Sequence, residues 1–124
     1  MASKIFKRKI PVSIYSRHAM LCVVKNMEDM QIELDKKCSG MIDVMDADGV
    51  VFELFTSKGH EYYIVLVEEQ LSHNLIAHEV FHLAVKMTSD IEIKDEESTA
   101  WLIGYLTEEV YKVLKSKNYN IKEQ

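Results

Sequence analysis

The chain runs to 124 residues, 48% of them hydrophobic and 28% charged, the profile of an ordinary globular unit with one core and no length for a second. A net charge of -5 argues against a nucleic-acid partner, which would need a basic surface, and the short run Phe6-Lys7-Arg8-Lys9 reads as a solvated edge. The longest apolar runs, Met20 to Val24 and Ile64 to Val67, are of strand length and exclude a membrane-spanning helix; with no apolar run of signal-peptide length behind the basic start, a cytoplasmic address is expected.

Residues Ile10 to Tyr15 and Met20 to Val24 carry β-prone patterns, so the first quarter is expected to supply one or two strands, with Pro11 at a strand start or an edge. Asn26 is a candidate N-cap for a helix through Met27, Met30, Ile32 and Leu34 to Lys37, closed by Ser39 and Gly40. Cys22 and Cys38 show no CxxC spacing and read as free thiols. Three strands are then expected, Met41 to Met45, Val50 to Phe55 and Glu61 to Val67, separated by the turns Asp46-Ala47-Asp48-Gly49 and Ser57-Lys58-Gly59. Short turns between strands predict an antiparallel meander, and His60 reads as a turn residue.

Ser72 is a candidate N-cap for the next helix, with Leu71 and Leu75 as a staple and His73 as a bystander. That helix fades at Thr88-Ser89-Asp90, a bridge follows, and a second long helix spans about Asp95 to Ser116, leaving a polar tail expected to fray. The fold class predicted over residues 1–124 is α+β, a mixed or mainly antiparallel sheet followed by two long helices.

The chemistry concentrates in HEVFH, residues 78 to 82. Residues four apart share a helical face, so His78 and His82 can present both imidazoles to one ion, and Glu79 lies close enough to reach a water on it. Apolar residues lie nearly all round this segment, which predicts a buried helix in which a divalent cation satisfies two imidazoles and a carboxylate. The spacing suits zinc, which takes three protein ligands in catalytic sites and keeps the fourth position for water. Glu97, sharing a helical face with the small residues Ala100 and Gly104, is the first candidate for the third ligand, and Glu96 the second.

HEVFH followed by DEESTAWLIGYL resembles the gluzincin metallopeptidases, in which HExxH precedes a helix carrying a glutamate, and IAHEVFHLA with EESTAWLIGYL resembles small zincin-like proteins of bacteriophages and bacteria. The resemblance covers about residues 60 to 112. It implies Zn2+ held by His78, His82 and Glu97, Glu79 as catalytic base, and Glu61 to Val67 as the strand lining the cleft. A peptide or protein substrate is implied, in the host cytoplasm for a phage protein. Many gluzincins also carry a residue that steadies the oxyanion, and spacing does not choose among Tyr62, Tyr63, Tyr105 and Tyr111. The expected function is a zinc-dependent metallopeptidase, with a zinc-binding module lacking proteolytic activity as the alternative.

Overall fold

The computed structural model describes residues 5–38, 42–57 and 59–123. Strands β1 (Phe6–Val12) and β2 (Arg17–Val24) are joined by the tight turn Ser13–Tyr15, and helix α1 (Met27–Cys38) follows. Strands β3 (Gly49–Thr56) and β4 (Gly59–Val67) come next, then helices α2 (His73–Asp90) and α3 (Glu96–Ser116). The sheet order is β1-β2-β4-β3. The two outer pairs are antiparallel, while β2 and β4 run parallel down the middle.

This is an α+β architecture with a mixed sheet, and it differs from the expected meander at one place. Residues 42–45 form no strand. The Gln31 side chain explains why: its amide donates to the Ile42 carbonyl and its oxygen accepts from the Val44 N–H, at 2.7 Å each. Those bonds give the segment's backbone a partner on α1 in place of a strand partner, and Val44 is buried against the α1 core. Asp46 to Asp48 is accordingly a loop leading into β3. The expected helix stop at Ser39 and Gly40, the start of that strand at Met41, and Lys58 of the later turn lie outside the described residues.

Strand alternation divides the molecule into two cores. Ile10, Val12, Leu21, Val23, Tyr62, Ile64 and Leu66 face α2 and α3. Their neighbours Cys22, Val24, Phe52, Tyr63 and Val65 face α1 with Met27, Met30 and Leu34. The central strands are therefore covered on both faces, which is the usual condition of a parallel pair. Helix α3 contributes Leu102, Leu106, Val110 and Leu114, one residue per turn and all fully buried, each contributing about 1.5–3 kcal/mol.

The caps expected at Asn26 and Ser72 are in place, and Asp95 caps the last helix as well. Asn26 accepts from the Asp29 N–H at 3.0 Å, Ser72 from Leu75 at 3.0 Å, and Asp95 from Ser98 at 2.8 Å. The basic run at the chain's start lies on β1, an edge strand, with Lys7, Arg8 and Lys9 exposed and Pro11 near its end. The expected fraying of the tail does not occur over residues 117–123. Tyr119 and Ile121 pack on the core, and Lys122 bonds through its backbone to Leu71 at 2.9 Å and to His73 at 3.2 Å.

Leu83 is fully buried between α2 and the sheet, and Leu83→Ala is expected to lower unfolding stability by about 2–5 kcal/mol in urea denaturation. Cys22 is fully buried, and burial pushes its thiol up to about 12. Peptide mapping after alkylation at pH 8 should find Cys22 unmodified in the folded chain and modified once denatured, because the thiolate is the reactive form.

Candidate active-site cleft

Helix α2 buries one arc, Ile76, Val80, Leu83, Ala84 and Met87, against the sheet and α3. The other arc is solvent-facing: His78 and His82 are exposed, as are Ala77, Phe81 and Val85. The expectation of a helix buried on all sides is therefore wrong. Phe81 and Val85 remain exposed because the sheet and α3 cover only one arc of the helix.

The imidazoles do converge. His78 Nε2 and His82 Nε2 stand 3.2 Å apart, close to the separation of about 3.3 Å that two nitrogens have on one tetrahedral zinc with bonds of about 2.0–2.1 Å. Glu79 Oε2 is 3.9 Å from His78 Nε2. Unlike the histidines, Glu79 is buried, 5% exposed. Burial raises its pKa, and the two histidines pull it partly back.

All three residues face the beginning of β3. A cleft of about 320 Å³ is lined by His78, Glu79, His82, Lys86 and residues 49–51. It continues into a second hollow of about 420 Å³, where Asp48, Ser72 and Lys122 join His78 and Glu79. Gly49 makes the close approach feasible. A Cβ there would meet Glu79 Cγ and Leu75 Cδ1 at 3.0 Å each. The strand lining the cleft is thus β3, the sheet edge, and not Glu61 to Val67, which form part of the central strand β4.

Glu97 does not join this group. Among the described residues, three donor atoms of His, Cys, Asp or Glu come within 4.8 Å of one another only at Glu53, His60 and Asp90. The reason is the side of α2 on which α3 lies. His73 stacks on Tyr111 of α3, with ring centroids 5.6 Å apart. His78 is five residues further on, about 140° round the helix at roughly 100° per residue. The imidazole pair therefore faces away from α3. The first turn of α3 also follows the last turn of α2, where the Ile93 N–H bonds to the Thr88 carbonyl at 2.9 Å. His82 lies eight residues before Asp90, roughly 12 Å along the axis. Glu96 and Glu97 are both exposed in that first turn and share this displacement. Nor does the small stripe serve close packing, since a Cβ on Gly104 would meet nothing within 4 Å.

None of the four tyrosines lines the cleft. Tyr62 and Tyr63 are buried, Tyr105 donates to the Pro11 carbonyl, and Tyr111 meets His73. His73 is thereby a packing contact between the helices, more than a bystander.

His60 is the residue the sequence reading placed wrongly. It belongs to β4, not to a turn, and its ring stacks on Phe55 at 4.3 Å and leans on Tyr62 at 4.5 Å. The missed signal was register. A two-residue connection pairs Phe55 with His60 and Glu53 with Tyr62, which sets Glu53 and His60 diagonally on the face that α2 covers.

No family model matches the chain, and neither curated proteins nor solved structures gave a match.

Gly49→Ala should lower stability by about 1–3 kcal/mol by overpacking Glu79 and Leu75, whereas Gly104→Ala should raise it by up to about 1 kcal/mol by relieving a solvent-facing helical glycine. Urea midpoints of the two variants check both signs.

Proposed function

We propose that the α2–β3 cleft is the active site of a zinc-dependent hydrolase of zincin type, acting on an extended peptide. The observation that carries this reading is the 3.2 Å separation of His78 Nε2 and His82 Nε2 beside a buried Glu79. Two borderline nitrogen donors at that spacing fit zinc. The third protein donor is the part of the set that Glu97 does not fill. Asp48, exposed just before β3, lines the adjoining hollow, but among the described residues it makes no three-donor group with the two imidazoles either, so the protein donors in place are the two histidines.

A zinc ion held there would acidify a water and polarise a carbonyl. Glu79 supplies the proton handling. Its burial and raised pKa suit a group that accepts a proton and passes it to a leaving amine. Among the described residues β3 has no strand partner on its outer side, along which a substrate backbone can add as a further strand and so be held without strong sequence preference. No helix among the described residues is long and apolar enough to cross a membrane.

The missing third donor favours a second reading, a zinc-binding module without turnover. One experiment separates the two. Wild type and the His78→Ala/His82→Ala variant should differ by one zinc per chain in elemental analysis. Glu79→Gln should keep that zinc and lose at least about 100-fold in hydrolysis of an unstructured protein such as casein. Equal metal content in wild type and the double variant would overturn the site. Metal loss without hydrolysis by zinc-loaded wild type would establish the non-enzymatic reading.

A further inference from the structure

A second group of metal-ligating side chains lies on the same flank of α2, away from the histidine pair. Glu53 comes from β3, His60 from β4 and Asp90 from the last turn of α2. One ligand atom of each lies within 4.8 Å of the other two. His60 Nε2 is 3.3 Å from Glu53 Oε2 and 3.7 Å from Asp90 Oδ2. Both separations are below about 4.2 Å, the widest that two donors can have when each sits about 2.1 Å from one ion.

We propose that Glu53, His60 and Asp90 form a binding site for a divalent first-row transition metal, distinct from the histidine pair of the cleft.

Three features of the surroundings support it. His60 Nε2 is a buried atom with no hydrogen-bond partner, and it lies beside both carboxylates; an orphaned buried nitrogen is costly and metal coordination would satisfy it. The ring is held in place by Phe55 and Tyr62. Tyr62 also donates its hydroxyl to Asp90 Oδ2 at 2.6 Å, orienting the carboxylate as outer-sphere hydrogen bonds do for metal ligands.

Burial and a hydrogen bond to Asp90 raise the pKa of Glu53. Burial also acts upward on Asp90, but the hydrogen bonds from Tyr62 and Glu53 outweigh it and bring that group down. A cation bound here would offset the charge of both carboxylates, beside Lys86, whose field reaches both.

The donor set decides the kind of ion. One imidazole with two carboxylates suits manganese, iron, cobalt, nickel or zinc in the divalent state, whereas calcium and magnesium prefer oxygen throughout. Asp90 is partly open, its side chain 33% exposed, which leaves an entry path and room for water to complete the coordination.

The test uses the full chain carrying His78→Ala/His82→Ala, so that the cleft pair does not contribute. Titration calorimetry with Mn2+ and Zn2+ should give about one ion per chain, with Ca2+ and Mg2+ binding at least tenfold more weakly. Adding His60→Gln or Asp90→Asn should weaken binding at least tenfold, with circular dichroism confirming the fold. Asp90 sits at a helix end and keeps the test decisive should His60→Gln fail to fold. In NMR spectra, substoichiometric Mn2+ should broaden the His60 ring signals before those of His18 and His73. Absence of binding in the double variant, binding indifferent to Asp90→Asn, or broadening that spares His60 would overturn the proposal. None of these results depends on whether the cleft holds zinc.

Discussion

The seating of α2 on the inner face of the sheet governs everything else in the molecule. Ile76, Val80, Leu83 and Met87 are fully buried in the core formed by Tyr62, Ile64 and Leu66. That contact fixes the helix's rotation about its own axis, since turning it would expose this row and bury the polar one. Once the rotation is set, His78 and His82 have to face the edge strand β3, and His73 has to face α3. The chemistry of the cleft is thus a by-product of which apolar residues the helix buries. A buried glutamate in the boundary between the two arcs is tolerated because Gly49 has no side chain to compete for the space that Glu79 occupies.

The polar flank of α2 is more than the motif. His78, His82, Lys86 and Asp90 repeat every fourth residue, so they lie along one slowly drifting stripe beside β3. The first two meet residues 49–51 and the last meets Glu53. The stripe carries an imidazole pair near one end and meets the Asp-Glu-His group near the other. Lys86 stands between them, a cation that tempers the negative charge of the second group.

The sheet shows why local pattern reaches only so far. Strands β3 and β4 and the three helices follow the residues expected of them to within a few positions, because caps such as Asn26, Ser72 and Asp95 and the strand periodicities act locally. The parallel contact between β2 and β4 was not legible, since it joins residues some forty positions apart through a helix and a further strand. The strand expected at residues 41–45 failed for a related reason: over 42–45 its apolar alternation is real, but the backbone partner it found was the Gln31 side chain.

What the sequence determined by itself is short-range. Four-residue spacing on a helix places His78 and His82 side by side, and their 3.2 Å separation follows from helix geometry with little help from the rest of the chain. The tertiary structure alone decided what surrounds them. Whether Glu97 could complete the pair depended on which flank of α2 the next helix would take, and the apolar rows of both helices settled that by putting α3 on the opposite side. Likewise Glu53, His60 and Asp90 lie on three separate elements, and only hairpin register and helix length bring their donor atoms within 4.8 Å. Spacing along one helix is read directly from a sequence; proximity between elements is set by the packing of side chains that themselves take no part in the chemistry.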